Sequence, residues 1–140
     1  VIHTDMNMLS VLDYAVNVLR VIHVIVTGHY GCGGVLAAMS NQEFGLIDNW
    51  LRHIKDVYRI HAEELDAITN ETDRANRLVE LNVIENVYNL CKTSIVQNAW
   101  KNGQELSVHG WVYSLSNGKI SDMKVSTSNN DKLDNVFKFK

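Results

Sequence analysis

The sequence contains no proline and only two cysteines, Cys32 and Cys91, among its 140 residues. Two cysteines cannot form the disulfide framework that stabilises small secreted domains, and free thiols favour a reducing, cytoplasmic compartment. The sequence also lacks any apolar run near the ~18–20 residues that a membrane-spanning helix needs. Its 13 Lys and Arg residues are outnumbered by 16 Asp and Glu residues, giving a net charge of −3. This balance argues against a nucleic-acid partner, because such proteins neutralise phosphates with basic residues.

The composition is that of a folded domain. Apolar residues make up 46% of the chain, whereas disordered segments are poor in them. A chain of this length buries roughly two-thirds of its unfolded surface, which suffices for one core. Because no linker, repeat or low-complexity stretch marks a boundary, we expect residues 1–140 to form a single domain.

The first third of the chain alternates helix and strand patterns. Residues 8–19 place apolar side chains at spacings of three and four, which predicts a helix with a buried face. Candidate N-cap residues before this helix are Thr4, Asp5 and Asn7. Residues 21–27 are β-branched and apolar on both faces, as in strands of a parallel sheet covered by helices. A glycine-rich turn and a short predicted helix at residues 35–39 follow.

Two longer helices are predicted next. Their apolar stripes run over residues 47–61 and residues 78–95, and Gly103 is expected to close the second as its C′ residue. This order of elements predicts the α/β fold class, with a mainly parallel central sheet flanked by helices.

The last third of the chain predicts a hairpin. Residues 105–115 alternate as in a half-buried strand, and the Asn117-Gly118 pair is typical of a type I′ turn that returns the chain antiparallel. Residues 131–140 are interpreted as a frayed helix.

The glycine-rich turn holds the candidate chemistry. His29 and Cys32 stand three residues apart between glycines, at the point where the predicted buried strand ends. Cys32 comes at the start of the predicted helix, where the backbone N–H groups favour a thiolate. Gly31, Gly33 and Gly34 remove side chains where the backbone approaches a ligand closely or where φ is positive. Imidazole nitrogen and thiolate sulfur are ligands that zinc prefers, so the turn is a candidate zinc site.

Three other interpretations of the turn remain open on these residues. A phosphate-binding loop is disfavoured, because the turn matches neither the dinucleotide-binding nor the P-loop pattern. A Cys–His nucleophile pair, as in a thiol hydrolase, lacks an identifiable third residue that would orient the histidine. The turn is also compatible with a purely structural role. The remaining histidines singled out, His3, His23, His53 and His61, show no ligand spacing and are interpreted as structural.

Residues 24–35, with the sequence VIVTGHYGCGGV, resemble the second zinc-ligand motif of the β-class carbonic anhydrases. Further similar segments are residues 1–5, 45–54, 80–83, 87–90 and 109–113. The likeness therefore covers nearly the whole chain in order.

The resemblance implies a zinc lyase that interconverts carbon dioxide and bicarbonate, with zinc hydroxide as the nucleophile and activity rising above neutral pH. It implies that His29 and Cys32 are two of three protein ligands to Zn²⁺, and that Gly33 and Gly34 shape the substrate pocket. It also implies a homodimer or homotetramer. In one subset of the family a tyrosine helps to bind bicarbonate as an inhibitor, and Tyr113 lies in the segment that resembles its source.

The sequence departs from the family pattern at one place. The family's first cysteine ligand lies in a Cys-x-Asp-x-Arg motif, which is absent here, and Cys91 lies in a helical pattern without the Asp and Arg. We therefore expect these residues to be the C-terminal two-thirds of a longer domain, whose N-terminal part precedes Val1. The alternative that this departure leaves open is a metal-free, inactive form that serves as an oligomeric scaffold.

Overall fold

The computed structural model describes residues 1–139. It contains the helices α1 (Met6–Asp13), α2 (Gly33–Met39), α3 (Asp48–Ile60), α4 (Ala62–Asp66), α5 (Glu71–Cys91) and α6 (Ser94–Lys101), and the strands β1 (His23–His29), β2 (Ser107–Tyr113) and β3 (Ile120–Asp122). A π-helical turn, Tyr14–Val18, continues α1, and 3₁₀ turns cover Gly45–Ile47 and Asn135–Phe137. Within residues 1–139, none of the helices is both long and apolar enough to cross a bilayer.

The three strands form one mixed sheet in the order β1-β2-β3. β1 and β2 are parallel, since Ser107 N–H donates to the Ile22 carbonyl and Tyr30 N–H donates to the Tyr113 carbonyl. β3 returns antiparallel to β2, as the hairpin signal predicted. The turn itself is longer than the predicted two-residue type I′ turn. A type I′ turn needs a positive φ at both central residues, whereas here only Gly118 has a positive φ, of 69°. Helices flanking a sheet whose two longer strands are parallel confirm the predicted α/β class.

β1 differs from the expectation that both of its faces are buried. The strand begins two residues later than predicted, and its burial alternates: Val26 is buried, whereas His23, Ile25 and Thr27 are exposed. In the described part of the chain β1 is the edge strand of the sheet, and the face that carries His23, Ile25 and Thr27 is exposed. An apolar run alone does not distinguish burial on two faces from an apolar strand with one open face.

Residue contacts divide the described chain into two compact units. The first consists of Val1–Val26, Asn86–Gly110 and the residues from Asp122 onward. Its most deeply buried side chains are Val16, Val96, Leu106 and Val108. The second consists of Thr27–Glu85 and Trp111–Ser121. Its most deeply buried side chains are Leu51, Leu65, Leu78, Val83 and Val112.

In the first unit, Asp5 is the N-cap of α1, because its carboxylate accepts a hydrogen bond of 2.9 Å from Met8 N–H. The predicted buried face of this helix is confirmed only in part. Leu12 and Val16 are buried, and Met8, Leu9 and Ala15 are half-buried, but Val11, Val18 and Leu19 are exposed. Apolar residues surround most of this helix, so the spacing identified a helix without identifying which face packs inward.

The apolar stripe predicted for residues 78–95 belongs to two helices. α5 ends at Cys91, and Thr93, with extended backbone, caps α6 by accepting from Val96 N–H. The Thr93 hydroxyl also donates to the Leu90 carbonyl at 2.7 Å, which satisfies an acceptor at the end of α5. Gly103, with φ of 72°, therefore follows the end of α6 and not the end of the single long helix that was predicted. The predicted C-terminal helix is reduced to the turn at Asn135–Phe137, and Lys140 lies outside the described residues.

Candidate metal centre

The turn between β1 and α2 brings the two predicted ligands onto one short segment of the second unit. His29 is the last residue of β1, and Cys32 is the N-cap residue of α2. Gly31 between them has φ of 69°, a conformation that side chains disfavour, so here the glycine is required. The predicted strand, glycine turn and short helix are all present.

His29 has the arrangement of a metal-binding histidine. Its side chain is exposed, and Nδ1 lies 3.0 Å from the carbonyl oxygen of Tyr30. Since a carbonyl only accepts, Nδ1 carries the proton in this arrangement and Nε2 is left with its lone pair. Metal-binding histidines are commonly fixed in this way, with the second ring nitrogen donating to a carbonyl or carboxylate. The ring of His29 therefore fits a zinc ligand bonded through Nε2.

Cys32 supplies a half-buried free thiol beside the two glycines. A Cβ placed on Gly34 would lie 3.8 Å from Cys32 Sγ and 3.7 Å from the ring of Trp50, and a Cβ on Gly33 would meet nothing within 4 Å. The contacts of a Gly34 Cβ would be ordinary ones and those of a Gly33 Cβ absent, so packing within the described chain forces glycine at neither position. Their proposed part in the substrate pocket stays a prediction.

Gly28, just before His29, packs tightly against α5. A Cβ at this position would lie 2.8 Å from Val83 Cγ2 and 3.1 Å from Val79 Cγ1. Real Cβ atoms do not approach so closely, so glycine is required for this close packing of strand on helix. The end of β1, and with it the backbone of His29, is held against α5.

Tyr30, between the two predicted ligands, is hydrogen-bonded to α5. Its hydroxyl donates to Glu80 Oε1 at 2.7 Å, and Glu80 Oε2 accepts from Arg77 Nη1 at 2.7 Å. Arg77 Nε in turn donates to Glu64 at 2.5 Å. Burial and the Glu80 carboxylate raise the pKa of Tyr30, and hydrogen bonds to Glu64 and Glu80 raise the pKa of Arg77. The tyrosine is therefore a neutral donor at ordinary pH.

Sequence reasoning singled out the candidate pair His29 and Cys32 but missed this supporting network. The Arg77–Glu80 pair was detectable, because residues three apart on a helix are neighbours. The contact between Tyr30 and Glu80 joins residues 50 positions apart, and no local pattern indicates it.

Tyr113 lies at the end of β2, and its carbonyl accepts from Tyr30 N–H at 3.1 Å. Its side chain is 40% exposed. The candidate effector residue thus belongs to the same unit as the turn and contacts it through the backbone. A role in binding bicarbonate stays a prediction.

The donor set is incomplete within the described residues. No group of three or more His, Cys, Asp or Glu side chains in residues 1–139 has the geometry of a metal site. Cys91 is 2% exposed, and burial raises the pKa of its thiol to about 12. It is therefore a protonated core residue and not a further ligand.

Comparisons with known proteins point to one family. The family described as carbonic anhydrase matches residues 1–120. A carbonic anhydrase of Emericella nidulans is 47% identical over 121 residues, which cover 86% of this chain and 53% of that protein. Tetrameric β-carbonic anhydrases of Sordaria macrospora provide a solved structure with 37% identity and a TM-score of 0.83, covering 91% of this chain and 64% of that one. The β-carbonic anhydrase of Coccomyxa in complex with acetazolamide has 35% identity and a TM-score of 0.84, covering 92% and 59%.

The fold and the turn define an α/β protein with a candidate metal-binding loop. The match to residues 1–120 and the 47% identity show, more specifically, that the chain belongs to the β-class carbonic anhydrase family. The chain spans 53% of the length of the Emericella nidulans relative and 43% of a carbonic anhydrase from Candida albicans. None of these comparisons supports a thiol hydrolase or a metal-free scaffold.

Proposed function

We propose that the protein catalyses the reversible hydration of carbon dioxide to bicarbonate and a proton, with zinc held by His29 and Cys32 together with further donors. The observation that carries this proposal is the anchoring of His29 Nδ1 on the Tyr30 carbonyl, which directs the lone pair of the ring to Nε2. Family membership supports the reaction, because the relatives with the highest similarity reported above are named carbonic anhydrases.

The residues of the turn would have distinct roles in the proposed site. His29 Nε2 and the Cys32 thiolate bind the ion, and the Tyr30–Glu80 hydrogen bond holds the turn that carries them. Bound zinc would supply a Lewis acid that lowers the pKa of water and so makes it nucleophilic. Gly33 and Gly34 follow Cys32 without side chains of their own and would help to shape the pocket for a small, uncharged substrate.

The partner and location predictions extend this proposal. We propose a homodimer or homotetramer in the cytoplasm, supported by the tetrameric β-carbonic anhydrases of Sordaria macrospora among the structural neighbours. The exposed apolar side chains on and after α1, such as Val11 and Val18, are further support, because large apolar surfaces commonly mark contacts between subunits.

Elemental analysis and stopped-flow assays of carbon dioxide hydration test the proposal, using the protein with its complete native sequence. We expect stoichiometric zinc in the wild type and loss of both zinc and activity in His29→Ala and Cys32→Ser. His53→Ala is the matched control, because His53 is exposed on α3 and has no assigned role. Unchanged zinc content in the His29 and Cys32 variants would show that the ion is held elsewhere.

A further inference from the structure

Arg77 on α5 joins two carboxylates that belong to different helices. Its Nη1 donates to Glu80 Oε2 at 2.7 Å, and its Nε donates to Glu64 Oε1 at 2.5 Å. Glu80 lies one turn further along α5, whereas Glu64 lies on α4. The roles given above to the residues of the proposed zinc site leave Arg77 without one.

The guanidinium group is suited to holding both carboxylates at once. It is planar and carries its N–H groups in a fixed fork, so two bonds from one group fix its direction as well as its charge. The side chain of Arg77 is 34% exposed and that of Glu80 is 24% exposed, so the pair is partly shielded from water. The ion pair between Arg59 and Asp56 on α3, by contrast, spans 3.5 Å with side chains 74% and 64% exposed, and such surface pairs contribute little.

Glu80 divides its two oxygens between Arg77 and the turn. Oε2 accepts from Arg77, and Oε1 accepts from the Tyr30 hydroxyl at 2.7 Å. A glutamate side chain without the first contact has more rotamers open to it, so ordering it for the second contact costs more conformational entropy. Arg77 therefore favours the Tyr30–Glu80 hydrogen bond by fixing its acceptor.

Tyr30 connects this acceptor to the candidate ligand His29. The Tyr30 carbonyl accepts from His29 Nδ1 at 3.0 Å, and the Tyr30 N–H donates to the Tyr113 carbonyl at 3.1 Å. The hydroxyl, which Glu80 holds, is the third anchored point of this residue. The whole path from α4 through α5 to the turn lies within the second unit.

We propose that Arg77 is a positioning residue for the candidate metal-binding turn. It fixes the Glu80 carboxylate that anchors Tyr30, and Glu64 in turn fixes Arg77. This inference rests on the proposed function, because it concerns the affinity of that site for zinc. Arg77 acts through Glu80 and Tyr30 and not through a bond to the ion, so its effect on zinc binding should depend on the Tyr30 hydroxyl.

A double-mutant cycle in zinc affinity tests this proposal, using chelator competition on the protein with its complete native sequence. Arg77→Met should weaken zinc binding by about 2- to 30-fold, the range for residues that act without contacting the ligand, and by no more than Tyr30→Phe does. In the Tyr30→Phe background the same substitution should have no effect, because the two residues act in one path. Arg59→Met is the matched control and should leave the affinity unchanged, since Arg59 is also paired with a carboxylate three residues away. Equal weakening by Arg77→Met in both backgrounds, or none in either, would overturn the proposal.

A second cycle separates this proposal from the proposed zinc site. If His29→Ala binds zinc as tightly as the wild type, the ion is held elsewhere and the proposed function fails. Urea unfolding of the protein stripped of zinc by a chelator then tests Arg77 without any metal. Arg77→Met should lower the urea midpoint more in the wild-type background than in the Tyr30→Phe background, and equal decreases would overturn the inference. Circular dichroism checks folding, and Arg77→Lys, which keeps the charge but lacks the fork, replaces Arg77→Met in both cycles if that variant does not fold.

Discussion

Removal of the Tyr30 hydroxyl tests whether α5 holds the candidate metal-binding turn in place. Tyr30→Phe deletes the 2.7 Å hydrogen bond to Glu80 and leaves the aromatic ring in place. A hydrogen bond to a charged group contributes about 1.5–3 kcal/mol. The Glu80 side chain is 24% exposed and keeps its bond to Arg77, so we expect a loss near the lower limit, about 1–2 kcal/mol.

Tyr58→Phe is the matched control, because Tyr58 also donates its hydroxyl to a carboxylate, that of Asp66. This second pair is exposed and lies away from the turn, so its loss should cost about 0.5 kcal/mol or less. Urea unfolding of both variants, followed by circular dichroism, measures the difference.

The zinc affinity of the two variants shows whether Tyr30 positions the turn or only stabilises the fold. If Tyr30 orders the turn, the loss of about 1–2 kcal/mol should weaken zinc binding by about 5- to 30-fold, measured by competition with a chromophoric chelator. Tyr58→Phe should leave the affinity unchanged. The reasoning is refuted if both variants lose the same stability, or if Tyr30→Phe unfolds more easily but binds zinc as tightly as the wild type.

Three further predictions concern packing and ionisation. Gly28→Ala should destabilise the protein by about 1–3 kcal/mol, because its Cβ would overlap Val83. Gly33→Ala is the control and should be tolerated, because its Cβ would meet nothing within 4 Å. Thermal unfolding compares the two variants, and equal losses of stability would contradict the packing argument. Burial raises the pKa of Cys91 from 9.0 to about 12, so the folded state keeps the proton longer than the unfolded state. Stability is then complete below pH 9 and falls by about 1.4 kcal/mol per pH unit up to about pH 12; in urea unfolding at pH 8 and pH 10, Cys91→Ala should lack this part of the decline. In the folded protein stripped of zinc by a chelator, iodoacetamide should modify Cys32, and it should modify Cys91 only after unfolding. Peptide mass spectrometry measures both, and equal labelling would contradict the burial of Cys91.

The local part of the candidate site could be predicted because it is encoded in consecutive residues. His29, Gly31 and Cys32 form one strand–turn–helix segment, and β-branched and glycine residues specify its backbone directly. Asp5 was likewise among the predicted caps, since capping depends on residues three positions apart. The hairpin before β3 was predicted for the same reason, although Asn117 does not adopt the positive φ of a type I′ turn.

The errors arose where packing partners decide the outcome. The run at residues 21–27 predicted burial on two faces, but Ile25 is 41% exposed, because what covers each face depends on elements distant in sequence. The break between α5 and α6 depends on the Thr93 hydroxyl, which donates to the Leu90 carbonyl and accepts from Val96 N–H. A continuous apolar stripe does not reveal such a break. The contact between His23 and His109 depends on strand pairing across 86 residues, which no local spacing encodes.

Tyr30 is held at three points: its N–H by the Tyr113 carbonyl, its carbonyl by the His29 ring, and its hydroxyl by Glu80. The conformational entropy of this residue is therefore lost when the chain folds and not when an ion arrives. If the turn binds a cation, the His29 ring is already oriented for it, so less of the binding free energy would be lost in ordering the peptide. Tyr30 would accordingly affect the affinity of the turn for the metal, even though its own atoms would not contact the ion.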